Sequence, residues 1–171
     1  MMRRALDALY DGAAWLAALM MIGLLAMVLV SIVGRQLHFH LPGTDAYAGY
    51  LMAGAGFLSL AHTLKRGEHI RVTLLLQALK GTPRRALEVW SVTVATLLAL
   101  LFAFYSIRLA WQSRLFHDVS TSNDATPLWI PQLSMALGVS LFAIALLDEC
   151  VLVIQGRSTS APADGEPLRN E

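Results

Sequence analysis

The chain has 171 residues, 56% of them hydrophobic and only 15% charged, with a mean hydropathy of +0.57. Soluble domains carry about a quarter charged residues, so this deficit excludes an ordinary water-soluble enzyme and calls for an apolar solvent. A net charge of +1 excludes a chain-wide polyanion surface, and no basic patch interleaved with aromatics points to nucleic acid. The single Cys150 excludes an internal disulfide or a thiolate cluster.

Residues 13–33 carry no charge and make about 31 Å of helix at 1.5 Å per residue, enough to span a bilayer. Arg3 and Arg4 ahead of this run also suit a signal peptide. The run is longer than a signal core, however, and no small-x-small cleavage site closes it before Arg35. An uncleaved anchor is the preferred reading. A short connection follows, in which Pro42-Gly43 supplies turn chemistry and Thr44 or Asp45 can cap the next helix.

The second span, residues 46–64, has only His62 as an ionisable group. It places Gly49, Ala53 and Gly56 at i, i+4 and i+7, a stripe that lets another helix approach closely. The competing reading is that membrane helices are rich in small residues anyway.

Six of the thirteen Lys and Arg residues (Lys65, Arg66, Arg71, Lys80, Arg84 and Arg85) lie between positions 65 and 85. Between these basic ends Val72, Leu75, Leu76 and Leu79 recur at i, i+3, i+4 and i+7, while Arg71, Gln77 and Lys80 fall largely off that stripe. Residues 68–80 therefore read as an amphipathic helix lying in the headgroup plane. Gly67 breaks the preceding helix, and His69 reads as a hydrogen-bonding residue at the bend.

Thr82-Pro83 offers a cap and a first-turn proline for the third span, residues 87–107. Trp90 sits near one end of it, and Tyr105 and Trp111 near the other, as interfacial belts require. Residues 108–125 read as a polar loop, and Thr126-Pro127 repeats the cap and proline before the fourth span, residues 128–147. Asp148 and Glu149 mark its end, with the alternative that residues 150–154 continue the helix into the headgroups. Residues 158–171 are Pro-, Ser- and Ala-rich and charged, a composition that predicts a disordered tail.

The predicted architecture is thus an all-α membrane domain over residues 1–157, with four spans and one interfacial helix between the second and third. Four spans put both termini on one side. That side and the central loop hold Arg3, Arg4, Lys65, Arg66, Arg71, Lys80, Arg84, Arg85, Arg157 and Arg169, ten in all; the other side holds Arg35, Arg108 and Arg114. Ten against three places the termini and the central segment in the cytoplasm.

Chemistry within the bilayer is sparse. No span has a central Asp, Glu, Lys or Arg, and none has a proline at mid-depth, so the means of binding an ion at the midplane are missing. His62 lies about one turn from an end and reads as a packed hydrogen-bonder before a proton relay. A membrane haem needs paired in-span histidines, and His38, His40, His69 and His117 all fall in loops or at the interface. His38-x-His40 alone is a poor metal site without Cys or carboxylate support. No cofactor and no enzymatic activity are expected.

Several segments carry a resemblance. Gly34-Arg35 closes the first span, and Leu41-Pro42-Gly43 is followed by an acid at Asp45. Lys65-Arg66-Gly67-Glu68-His69-Ile70-Arg71-Val72 follows the second span, and Pro127-Leu128-Trp129-Ile130-Pro131 opens the fourth. On these the chain resembles the small membrane subunit, the DctQ-type small permease, of tripartite ATP-independent periplasmic (TRAP) transporters. It departs from the family pattern at Thr73, where an Asp is expected, and at Thr44-Asp45-Ala46-Tyr47, which lacks the usual acids and Trp.

The resemblance implies a subunit of the bacterial inner membrane that pairs with a large multi-span permease subunit and a periplasmic solute-binding protein. It further implies sodium-driven uptake of an organic acid, with the transport sites in the large subunit and the small one bracing it. Arg35 and Asp45 then flank a periplasmic turn, pairing with each other, meeting the binding protein or serving as solvated anchors. Lys65, Arg66 and Arg71 hold anionic lipid, hold Asp148 and Glu149, or simply follow the charge bias. The rival readings are a membrane anchor of a redox enzyme and a stand-alone four-helix exporter, which needs a buried acid that the chain lacks.

Overall fold

The computed structural model describes residues 2–39, 41–66, 82–122 and 125–156. Four helices account for most of them: α1 (Met2–Gln36), α2 (Thr44–Lys65), α3 (Thr82–Leu115) and α4 (Trp129–Ile154). The expected interfacial helix at 68–80 and the expected disordered tail lie outside the described residues.

Three helices, over Leu6–Gln36, Pro83–Leu115 and Trp129–Ile154, are long and apolar enough to cross a membrane. The 22-residue α2 is long enough at 1.5 Å per residue, but it is not among the three. Gly49, Gly54, Gly56, Tyr47, Tyr50 and His62 dilute its apolar content. All the helices overrun the expected spans. The third begins at Thr82 and ends at Leu115, so much of the predicted loop at 108–125 is helix.

Two predicted caps are corrected. Gly43, left-handed at φ 86°, occupies the N-cap of α2 without a side-chain bond, and the Thr44 hydroxyl donates instead to the Leu41 carbonyl at 3.4 Å. Leu128 is the N-cap of α4, while Thr126 bonds the Tyr47 hydroxyl at 3.2 Å. Pro127 pairs with Val119 in an isolated bridge that closes the turn between α3 and α4. The Ser120 amide donates to Thr126 at 2.8 Å and the Leu128 amide to Asp118 at 3.0 Å across the same turn. Backbone pairing satisfies these groups, so the side chains are released for other partners.

The chief packing pairs are α1 with α2, α2 with α4 and α4 with α3, which sets the spatial order α1, α2, α4, α3. Small residues make this possible. A Cβ on Gly138 in α4 would stand 2.5 Å from the Phe57 carbonyl carbon and oxygen in α2, so only glycine permits that crossing. Gly54 in α2 is likewise pressed against Met20 of α1 and Ser134 of α4.

The core beyond these glycines is built mainly of alanine: Ala99 and Ala103 pack with Val139, Ala143 and Leu146, and Ala13 and Ala17 with Leu58. Thr96 bonds the Leu146 carbonyl across α3 and α4 at 3.3 Å. The outer surfaces are apolar, with Trp15, Leu19 and Ile22 on α1 and Leu97, Leu98, Leu101 and Phe104 on α3 all exposed. Bare leucines over such lengths fit contact with lipid or with another membrane helix.

Candidate partner-docking face

The helix α2 has two unlike faces. Gly54, Ala55, Leu58 and Ala61 are buried against α1 and α4. Gly49, Ala53 and Gly56 form a stripe elsewhere on the same helix, and all three are exposed. Nothing lies within 4 Å of where a Cβ on Gly49 or Gly56 would stand. Among the described residues, therefore, nothing packs on the predicted stripe. Its backbone is open to a second helix, and Met52 beside it is 67% exposed.

The buried small-residue set of Gly54, Gly138, Ala13, Ala17, Ala61 and Ala143 was not singled out from sequence. Spacing alone does not separate it from the exposed stripe, because glycine and alanine recur on several faces of these helices.

At the end where α1 begins and α2 finishes, polar side chains join the two helices. Lys65 pairs with Asp7 and also lies over the Tyr10 ring, 4.8 Å from its centroid. His62 places Nδ1 3.4 Å from Asp11 Oδ1. Both pairs are partly solvated, and such contacts contribute about 0–1 kcal/mol each. The reading of His62 as a packed hydrogen-bonder matches this geometry. Lys65 also shares a cavity with Asp148 and Glu149, although its ion pair is with Asp7. Arg66 is exposed just past the helix, its amide donating to the His62 carbonyl at 3.1 Å. Gly67, His69 and Arg71 lie outside the described residues.

At the opposite end Arg35 turns back on its own helix, Nη2 reaching Ser31 Oγ at 3.4 Å. Among the described residues no ion pair joins it to Asp45, which is exposed in the first turn of α2. There a negative charge suits the helix dipole. His38 and His117, read from sequence as loop residues, occupy left-handed backbone positions at φ 56° and 55°, just past the ends of α1 and α3. Among the described residues no group of three His, Cys, Asp or Glu stands close enough to hold a metal ion.

These features (apolar spanning helices, an empty interior and a bare small-residue stripe) suit a subunit that assembles with others. Comparison with curated proteins returns no match. A protein family does match, described as the DctQ component of tripartite ATP-independent periplasmic transporters, over residues 24–156. That match spans most of the chain and includes α2, α3, α4 and the C-terminal part of α1. It is a family of transporter components, not of enzymes, and gives no support to the redox-anchor reading. The chain belongs to the DctQ family and is a multi-pass membrane component of a TRAP transporter.

Proposed function

We propose that this chain is the non-catalytic small permease subunit of a sodium-coupled organic-acid transporter, bracing a large permease subunit that carries the transport sites. The observation that carries this reading is the exposed Gly49, Ala53 and Gly56 stripe on a chain of the DctQ family. Close helix approach needs small residues, and among the described residues this approach is unused. In this reading α2 is a fourth span, sheltered by α1 and α4 on one side and by the large subunit on the other. Two-sided cover explains how a helix of modest hydropathy stays in the membrane.

The segment 68–80 is an in-plane helix at the cytoplasmic surface of the inner membrane, and both termini are cytoplasmic. Ten basic residues against three support that orientation. A cysteine at Leu37, in a Cys150→Ser background, is expected to react with an impermeant maleimide added outside spheroplasts. Labelling there only after permeabilisation contradicts the orientation.

The docking face is tested by Gly56→Leu. Co-purification with the large subunit is expected to fall about tenfold, the equivalent of 1.4 kcal/mol, while the isolated subunit keeps its helicity. Undiminished co-purification removes α2 from the interface.

A further inference from the structure

A cavity of about 140 Å³ opens where α1 begins and α2 and α4 end. Its polar lining is Asp7, Tyr10, Lys65, Asp148 and Glu149, over an aliphatic floor that includes Leu64. Asp7, Asp148 and Glu149 supply three carboxylates to this lining and Lys65 supplies one ammonium. Lys65 is committed to Asp7, and among the described residues no ion pair reaches Asp148.

Tyr10 is 1% exposed, and among the described residues its hydroxyl has no hydrogen-bond partner. A buried hydroxyl in that state is costly, and such groups normally meet a ligand or water. The cavity thus brings together an Asp148 carboxylate with no ion pair among the described residues and an unsatisfied buried hydroxyl. That combination selects a cation able to donate hydrogen bonds. No group of three His, Cys, Asp or Glu among the described residues is close enough to hold a metal ion, which favours a larger, hydrogen-bonding organic cation.

The depth of the cavity narrows the source. It lies at one end of the spanning helices Leu6–Gln36 and Trp129–Ile154, and helices of this length carry their ends past the hydrocarbon into the headgroup region. In the same N-terminal half of α1, Leu9 and Leu16 are exposed, 47% and 44% accessible.

We propose that this cavity binds the primary ammonium headgroup of an aminophospholipid of the phosphatidylethanolamine class. The ammonium donates to the Asp148 carboxylate and to the Tyr10 hydroxyl oxygen, the lipid phosphate lies toward the exposed Arg66, and the acyl chains run along α1. A choline headgroup carries no N–H to donate. An anionic headgroup brings no cation to a cavity lined by three carboxylates. The site therefore discriminates among lipids by hydrogen bonding and charge, independently of any transport partner.

The test is native mass spectrometry of the full chain in mild detergent, titrated with phosphatidylethanolamine, phosphatidylcholine or phosphatidylglycerol of matched acyl chains. Phosphatidylethanolamine is expected to be retained about tenfold more strongly than either of the others, the scale set by a charge-assisted hydrogen bond. Tyr10→Phe, which keeps the ring and removes only the hydroxyl, and Asp148→Asn are each expected to abolish most of that preference. Phosphatidylglycerol adducts should be unchanged in both variants, which controls for folding. Excess free ethanolamine should not displace the lipid. Equal retention of the three lipids, a preference that survives either substitution, or displacement by ethanolamine overturns the assignment.

Discussion

Gly34 and His38 divide a single turn of backbone between them. The Phe39 amide donates to the Gly34 carbonyl at 2.8 Å and the His38 amide to Arg35 at 3.4 Å, the crossed pattern that ends a helix around a left-handed residue. A Cβ on Gly34 would stand 2.6 Å from the Phe39 carbonyl oxygen, so this position requires glycine. His38 holds the left-handed position at φ 56°, where an L side chain is strained. His38→Gly is therefore expected to stabilise the subunit by about 1 kcal/mol, and Gly34→Ala to destabilise it by about 1–3 kcal/mol. Detergent-based unfolding followed by circular dichroism measures both, and equal effects of the same sign contradict this account of the turn. The Gly34-Arg35 pair was visible in the sequence as the close of a span. The backbone role of His38 was not, because the sequence signal for a left-handed helix end is a glycine and none stands at that position.

At the scale of the element, α2 separates its glycines by consequence. Gly138 of α4 meets the backbone of Phe57 in α2, whereas Gly56 faces open space. Gly138→Ala should cost about 1–3 kcal/mol, since backbone rather than a flexible side-chain end must yield. Gly56→Ala should instead stabilise the isolated chain by about 0.5–1 kcal/mol through helix propensity. Equal costs would mean that both faces of α2 are packed within the chain. The apolar runs made the first, third and fourth helices legible, since a long uncharged stretch has few other fates. Their full lengths were not, because helices such as α3 continue past the hydrocarbon through residues such as Arg108 and Arg114. The caps predicted at Thr44 and Thr126 failed for a related reason: a hydroxyl near a helix start takes whichever partner tertiary structure brings, here Leu41 and Tyr47.

For the whole molecule, the order α1, α2, α4, α3 leaves α1 and α3 with one chief neighbour each and much bare apolar surface. The spanning helices carry no charge at mid-depth, and His62, partly exposed, is paired with Asp11 near one end. These features fit a chain that extends and stiffens another subunit. Family membership was legible chiefly in Lys65-Arg66-Gly67-Glu68-His69-Ile70-Arg71-Val72, with the motifs around Gly34 and Pro127 adding to it, and the empty midplane in the absence of charges. The direction in which the Gly49 stripe faces needed the structure. Sodium-driven uptake of organic acids into proteoliposomes tests the central claim most directly. The chain alone should give no uptake above empty liposomes, and uptake should appear only when the large permease subunit and the solute-binding protein are both added. Sodium-dependent uptake by the chain alone would contradict the account.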